Sequence, residues 1–260
     1  DIGGVAKLRD TLTSDTLGQL TVTGIAPTSN AVAVIFAPGA ALDSQLRNAA
    51  NQSNPANYLE GENANGNDPA FTSAVISSAF NDRVLALTNA DFMPLVEQRV
   101  AREMITLLNN YKTATGGKYP WADNGTDPGK SVDGINRGWF PCDTARPTDW
   151  GNGGTPALPN WLTNGCRKAT PGWAGVIYYA AAKNQLDSGC TTCISSSLSV
   201  TGLTGNKELV LITPGAASAN PRGAWPTAYF EDAENSDNNN DVYAVPTSTA
   251  YNRDRLFSIP

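Results

Sequence analysis

The apolar positions of the chain fall into two similar series of short stretches. Ala31–Ala37 and Leu209–Thr213 are almost continuously apolar, a pattern that predicts buried β-strands. Leu20–Gly24 and Leu198–Gly202 precede them and read as further short strands. A Pro-Gly pair after each buried strand predicts a turn. The hydrophobic pattern therefore predicts the same small set of strands twice.

The residues themselves repeat as well as the pattern. Six blocks recur in the same order, and the offset between matching residues drifts only from 178 (Leu20 to Leu198) to 171 (Tyr58 to Tyr229). The paired blocks are LTVTG and LSVTG, AVAVIFAPGAA and ELVLITPGAA, Arg47 and Arg222, YLEGEN and YFEDAEN, Phe71 and Tyr243, and NDRVL and RDRLF. We interpret this series as an internal duplication, with Arg83–Leu87 and Arg255–Ile259 as the last strands.

The duplication sets the predicted domain organisation. Residues 1–88 correspond to about 178–260, and Gly3–Asp15 is expected to match Tyr178–Gly189. The region between, residues 89–177, has no counterpart, so the sequence lacks the front half of the first module, and a precursor upstream of Asp1 is one source of it. The predicted domains are a first module at residues 1–88 and a second at 89–260, the latter with a helix at 89–115, a loop-rich region at 116–177 and a sheet at 178–260.

A single long amphipathic helix is predicted at the start of the second module. Thr88 and Asp91 have the spacing of a capping box, and Gly116–Gly117 predict the end of the helix. Pro94 is unfavourable inside a helix and could displace its start by several residues. The apolar stripe at helical spacing consists of Val96, Val100, Met104, Leu107, Leu108 and Tyr111.

The region after the helix combines glycine, proline and aspartate with five of the six tryptophans, within residues 120–175. We expect an irregular segment whose tryptophans pack on the sheet, although an aromatic platform for carbohydrate is the alternative. The predicted fold class is α+β, with two related modules, each with a small antiparallel sheet and long polar loops.

Composition narrows the chemistry further. The chain has no histidine, which excludes Ser–His and Cys–His nucleophile pairs and histidine-ligated metals. Its net charge is −6, and an acidic chain lacks the basic surface with which proteins bind nucleic acid or anionic lipid. Paired carboxylates and lysine-based schemes remain as catalytic options.

Four cysteines lie in one stretch: Cys142, Cys166, Cys190 and Cys193. Their even number predicts two disulfides and hence an exported protein. Proximity favours Cys142–Cys166 and Cys190–Cys193 among the three pairings. The alternatives are a redox-active CxxC pair at Cys190 or a four-cysteine zinc site.

The segment that closes the helix carries a family resemblance. Tyr111, Lys112, Gly117, Tyr119 and Pro120 match the phrase that ends the helix of type IV pilins and of type II secretion pseudopilins. Glu234–Asn235 with Arg253–Asp254–Arg255 resembles the end of the globular head in one group of these proteins, and so does Glu62–Asn63 with Asn81–Asp82–Arg83. The family's N-terminal apolar helix with its processing site is missing from this sequence.

The resemblance implies a structural rather than an enzymatic protein, a subunit of an extracellular or cell-surface filament of a bacterial envelope. Its partners would be other pilin-like subunits, and a separate chain is one source of the missing helix. A glycan-binding adhesin at a filament tip, using the tryptophan-rich segment, is the alternative. An exported hydrolase with Glu231 and Glu234 as its carboxylates is a weaker one.

The polar loop before residue 242 is the candidate metal site. Asp237, Asn239 and Asp241 alternate as in calcium-binding loops, and Glu234 precedes them. Related pseudopilins hold calcium in such loops, so the resemblance supports calcium as a cofactor. The corresponding loop of the first module has fewer charges and is expected to bind more weakly: Glu62, Asn63, Asn65, Asn67 and Asp68.

Asp82–Arg83 and Asp254–Arg255 occupy matched positions in the two modules. A catalytic role for these carboxylates is one reading. We favour a structural role, because duplicated positions indicate a shared fold more readily than a shared active site. In that interpretation, Arg47 and Arg222 are candidate partners of Glu60 and Glu231.

Overall fold

The structure is a computed structural model that describes residues 12–125, 131–143, 150–151, 153–163, 172–217, 222–237, 239–247 and 253–260. The chain divides into two compact units. Of the described residues, unit 1 contains 16–92, and unit 2 contains 12–15 and those from 93 onward. Several small sheets and few helices make the fold a mixed α+β one, in agreement with the predicted class.

Unit 1 consists of short strands connected by polar loops and single 3-10 turns. Its strands are β1 (Leu20–Gly24), β2 (Thr28–Ala31), β3 (Ala33–Ala37), β4 (Ala70–Ser73) and β5 (Arg83–Leu87). They form a three-stranded sheet in the order β2-β1-β4 and a two-stranded sheet of β3 and β5. Val22, Ala31 and Phe71 are buried between them, and Phe36 meets Phe71 edge to face at 5.2 Å between ring centroids.

Unit 2 contains the long helix and the largest sheet. Its helices are α1 (Asn89–Ala114), of which the residues from Met93 belong to unit 2, α2 (Asn160–Thr163) and α3 (Ala233–Ser236). Its strands are β6 (Arg137–Trp139), β7 (Tyr178–Ala181), β8 (Ser199–Thr201), β9 (Leu209–Thr213), β10 (Val242–Ala244) and β11 (Arg255–Ile259). The antiparallel sheet has the order β11-β9-β7-β6, and β8 pairs with β10.

The strands that the sequence repeat equates pair in the same registers. Val22 lies opposite Phe71 in the parallel pair β1–β4, and the equivalent Val200 lies opposite Tyr243 in the parallel pair β8–β10. Five successive antiparallel pairs join β3 to β5, from Ala33–Leu87 to Ala37–Arg83. The equivalent pairs join β9 to β11, from Leu209–Ile259 to Thr213–Arg255.

The structure corrects two details of the predicted sheets. Each unit contains the predicted antiparallel sheet, but it also contains a parallel pair. All five residues of β9 are buried as predicted, but in β3 Ile35 is 52% exposed. An apolar sequence favours burial without determining which element supplies the cover, and β3 is left partly open.

The helix α1 begins at Asn89, and Pro94 does not displace its start. Pro94 is the sixth helical residue, so it removes one intrahelical hydrogen bond beyond the first turn, whose N–H groups lack such partners anyway. The main-chain N–H of Thr88 donates to Asp91 Oδ2 at 2.6 Å, which is one half of the predicted capping box. Val100, Met104, Leu108 and Tyr111 of the predicted stripe are buried, whereas Val96 and Leu107 are half-buried.

Candidate functional site: acidic clusters and the helix-to-sheet junction

The predicted calcium loop follows α3 directly. Glu234 is exposed in the first turn of that helix. Asp237 Oδ1 accepts the main-chain N–H of Asn239 at 3.0 Å, and its Oδ2 accepts the side-chain amide of Asn240 at 3.0 Å. Among the described residues no group of three or more acidic or cysteine side chains is arranged to hold a metal ion. Calcium binding by this loop stays a prediction.

Asp241, the fourth predicted ligand, is buried and directed elsewhere. Its Oδ1 receives Arg137 Nη1 at 2.5 Å and Asn136 Nδ2 at 3.0 Å. Its Oδ2 accepts the main-chain N–H groups of Ile194 at 2.8 Å and Ser195 at 2.7 Å. Asp241 therefore ties the segment after the CxxC pair to the start of β6, and the structure separates its role from that of Asp237 and Asn239.

One of the two predicted disulfides is formed between Cys190 and Cys193. The main-chain N–H of Cys193 also donates to Cys190 Sγ at 3.2 Å. Cys142 is buried, and Cys166 lies outside the described residues, so the pairing of these two stays a prediction.

A cluster of Glu231, Asn235 and Asp254 closes the acidic loop of unit 2. Asn235 is fully buried, and its side chain accepts the N–H of Ala244 at 3.0 Å and donates to the carbonyl oxygen of the same residue at 3.1 Å. Asn235 also donates to Asp254 Oδ2 at 3.2 Å. Asp254 Oδ1 accepts the N–H of Glu231 at 2.9 Å, and Glu231 Oε2 accepts the N–H of Asp254 at 3.2 Å. The cluster fastens the loop to both β10 and the start of β11.

Unit 1 contains the same cluster at the equivalent positions Glu60, Asn63 and Asp82. Asn63 exchanges two hydrogen bonds with the main chain of Thr72, at 2.8 and 2.9 Å, and donates to Asp82 Oδ2 at 3.0 Å. Asp82 Oδ2 accepts the N–H of Glu60 at 2.9 Å, and Glu60 Oε2 accepts the N–H of Asp82 at 3.1 Å. The sequence marked these residues only as recurrent acidic and amide positions, and their common task is to close a loop.

In each cluster the charge of one carboxyl group acts on the pKa of the other. Burial raises the pKa of Glu231 to about 8, and the hydrogen bond and charge of Asp254 act in the same direction. In unit 1, burial raises the pKa of Asp82, and the charge of Glu60 adds to it, whereas the N–H of Glu60 and the amide of Asn63 oppose it. In unit 2 the neutral form of Glu231 is thus favoured below about pH 8, which allows its carboxyl group to lie beside that of Asp254.

These carboxylates are engaged in hydrogen bonds inside the fold. Glu60 lines an open cavity of about 540 Å³ together with Leu59 and Gln45. However, Gln45 Nε2 donates to Glu60 Oε1 at 2.8 Å. The other carboxylate oxygen of Glu60, Oε2, accepts the N–H groups of Asn81 and Asp82. The contacts favour the structural reading over a catalytic one.

Arg47 and Arg222 have partners other than the glutamates suggested by the sequence. Arg222 forms a two-bond ion pair with Asp15, with distances of 2.6 and 2.7 Å, and donates to the carbonyl oxygen of Gly215 at 2.5 Å. Arg47 donates to the carbonyl oxygen of Gly39, the position equivalent to Gly215, at 2.5 Å. Both guanidinium groups therefore fasten the turn that follows a strand.

Two of the five tryptophans of the tryptophan-rich segment are buried, and the other three are half-buried. Trp150 and Trp173 are buried, and Trp150 lies 4.9 Å from Tyr111 between ring centroids. Trp139 is half-buried and stacks on Trp225 with centroids 4.7 Å apart. This pair is the aromatic surface that the carbohydrate alternative could use.

The segment after α1 folds back onto the helix. Gly116 and Gly117 have φ values of 72° and 95°, which reverse the chain direction at the helix end. Tyr119 Oη then donates to Asn109 Oδ1 at 3.0 Å, and Lys112 Nζ lies 4.9 Å from the Tyr119 ring centroid. Burial, with the charge of Glu208, raises the pKa of Tyr119 to about 12, so its phenol stays a donor. The residues that carry the family resemblance thus fix the exit of the chain from the helix.

A buried glutamate on α1 was not anticipated. Glu97 is fully buried and accepts hydrogen bonds from Ser14, Thr213 and Arg255, the one with Thr213 Oγ1 at 3.2 Å. Burial raises its pKa, and the hydrogen bond of Ser14 and the charge of Arg255 oppose the rise. The signal in the sequence was an acidic residue between Met93 and Val100, within the apolar stripe.

The chain matches no protein-family model, and neither curated protein sequences nor solved structures contain a significant match. None of the helices in the described residues combines the length and the apolar character needed to cross a membrane.

Proposed function

We propose that this protein is a structural subunit of an extracellular type IV pilus-like or pseudopilus filament and that it acts through protein–protein assembly. In this proposal, each unit is a pilin-like head module, and the chain carries two of them in tandem. Unit 2 has its helix, whereas the described part of unit 1 contains the sheet and acidic loop.

The observation that carries the proposal is the arrangement of α1 and the junction after it. The helix carries a buried stripe, and the segment Tyr111–Pro120 folds back onto the end of the helix, where Tyr119 bonds Asn109. Lys112 Nζ bonds Glu208 Oε2 at 2.7 Å, immediately before β9. A helix that supports a small sheet in this way is the arrangement that the resemblance to pilins implies.

The opposite side of α1 supports an assembly role. Leu95 is 69% exposed, and Arg99 and Glu103 form an exposed ion pair at 2.8 Å one turn further on. These exposed side chains are accessible to neighbouring subunits, and their ion pair contributes little to the stability of the chain itself. The disulfide and, in our proposal, calcium hold the long loops rigid for such contacts.

The proposal is tested by immunogold electron microscopy of filaments sheared from the native cells. An antibody against this chain is expected to label filaments along their length. A Leu95→Glu variant should assemble less, while an Arg99→Lys variant, which keeps the charge, serves as the matched control. A chain found only as a free monomer, with no label on any filament, would refute the function.

The second candidate is glycan adhesion, which the half-buried stack of Trp139 on Trp225 favours. Aromatic surfaces of this kind pack against sugar rings. Retention of the chain on a glycan column, lost in a Trp225→Ala variant, would support adhesion. Hydrolysis of the bound glycan would instead revive the carboxylate-dependent hydrolase.

A further inference from the structure

In unit 2, α1 covers one face of the sheet formed by β9 and β11. Glu97 contacts Thr213 and Arg255 at one end of these strands, and Lys112 contacts Glu208 at the other. Fifteen helical residues span about 22 Å, and five strand residues span about 17 Å. The helix therefore runs along the full length of β9.

Alternation along β9 identifies the residues under the helix. Leu209 and Leu211 share the face of Thr213, since side chains two apart point to the same side of a strand. Both are 0% exposed. Val210 and Ile212 belong to a separate apolar cluster on the other side, with Tyr178 and Tyr243.

The equivalent face of unit 1 is open. Ile35 corresponds to Leu211 and is 52% exposed, and Leu85, its direct partner across β3 and β5, is 56% exposed. The opposite side of β3 is packed in the normal way, since Phe36 meets Phe71. Among the residues that the structure describes, unit 1 therefore leaves uncovered the face of this sheet that a helix covers in unit 2.

A charge on this face specifies what is missing. Arg83 corresponds to Arg255, which pairs with the buried Glu97 of α1. Arg83 is exposed, and it forms no ion pair with any residue that the structure describes. A helix placed as α1 is placed would bring a carboxylate to Arg83 and apolar side chains to Ile35 and Leu85.

We propose that this surface, which we call the open sheet face and define as Ala33, Ile35, Ala37, Arg83 and Leu85, is the docking site for an amphipathic helix of a separate pilin-like subunit. A glutamate or aspartate on that helix pairs with Arg83. The nature of the subunit rests on the proposed function, whereas the helix and its acidic residue follow from the comparison of the two units. The helix α1 of a second copy is excluded, because Val100, Met104 and Leu108 are buried in its own unit.

The test places a photo-activated cross-linking residue at Leu85 in the chain expressed in its native host. The matched control carries the same residue at Val75, which is 76% exposed and lies outside the open sheet face. We expect the Leu85 variant, and not the control, to cross-link to a helical segment of another subunit that contains an acidic residue. Cross-linking to a precursor segment of the same polypeptide, to a second copy of the chain or to nothing would overturn the proposal.

A charge exchange establishes the contact itself. An Arg83→Glu change should lower the cross-link yield at least about tenfold, and reversal of the acidic residue on the captured helix should restore it. Arg83 is exposed, so the change should leave the thermal midpoint unaltered, which confirms that the variant is folded. An unchanged yield contradicts the assignment of Arg83.

Failure of this inference is distinguishable from failure of the proposed function. Filaments that carry the immunogold label while Leu85 fails to cross-link would keep the function and remove the docked helix. A cross-link to an acidic helix in a protein that never labels filaments would keep the docking site and remove the filament.

Discussion

The pairs β3–β5 and β9–β11 have the same register and the same strand order but different surroundings. Leu211 is fully buried below α1, whereas the equivalent Ile35 is half exposed. The hydrogen-bonded frame of the two pairs is therefore the same with α1 over one pair and no described helix over the other. The helix supplies the burial of one face, and the burial of apolar side chains contributes more to stability than the main-chain frame does.

The largest expected difference comes from truncating the buried leucine. Leu211→Ala should destabilise unit 2 by about 3–4 kcal/mol, because it leaves a cavity under the helix. Ile35→Ala should cost unit 1 less than about 1 kcal/mol, since that side chain is half exposed. Tryptophan fluorescence during denaturant unfolding reports on unit 2, where all six tryptophans lie, and hydrogen exchange reports on unit 1. Equal costs in the two units would break the comparison.

The next difference concerns the paired arginines. Arg255→Ala should cost about 3 kcal/mol, because Glu97 then stays buried without its cation. Arg83→Ala should change stability by no more than about 0.5 kcal/mol in the isolated chain. Urea midpoints of the two variants measure both effects. If Arg83→Ala proved as costly as Arg255→Ala, Arg83 would already have a partner within the chain.

The acidic clusters should respond alike in both units. Asn63→Ala and Asn235→Ala should each cost about 2 kcal/mol, since each leaves a buried main-chain N–H and a carboxylate without their bonds. The amides of Thr72 and Ala244 should lose protection from hydrogen exchange in the respective variants. Exposed Asn239→Ala is the control and should have little effect. Loss of protection in only one unit would show that the clusters are not equivalent.

The smallest effect is a pH dependence. The pKa of Glu231 is raised in the folded state, so its contribution to stability is complete below the unfolded pKa near 4.5 and is lost as the pH rises towards 8. Glu231 is only partly buried, and solvent screening of its carboxyl group reduces the loss to about 1 kcal/mol. A Glu231→Gln variant should lack this part of the decline in tryptophan-detected stability between pH 5 and pH 8. A wild-type stability that rises over that range would contradict the raised pKa.

The elements that the sequence predicted well are those with a strong local pattern. The helix and the buried residues Met104 and Leu108 follow from a periodicity of 3.6 and from the glycines at its end. The strands β3 and β5 were likewise predicted from short apolar runs in the sequence. The exposure of Ile35 could not be predicted, since the run AVAVIFA has the same composition whether or not a helix lies over it.

The candidate site was predicted less well, because its contacts join distant segments. Asp241 alternates with Asp237 in the sequence, yet it pairs with Arg137, about a hundred residues away. The tasks of Asn63 and Asn235 depend on strands that follow the loop. The repeat marked both asparagines, but only the pairing of β1 with β4 and of β8 with β10 explains why an amide is required there.

The central claim is that unit 1 is a head module whose sheet receives a helix from another subunit of a filament. Cryo-electron microscopy of the native filaments at side-chain resolution tests it most directly. We predict density for a helix that lies along β3, with an acidic side chain at Arg83 and no continuous connection to this chain. Filaments in which Ile35 and Leu85 face solvent, or in which that helix continues into Asp1, would contradict the claim.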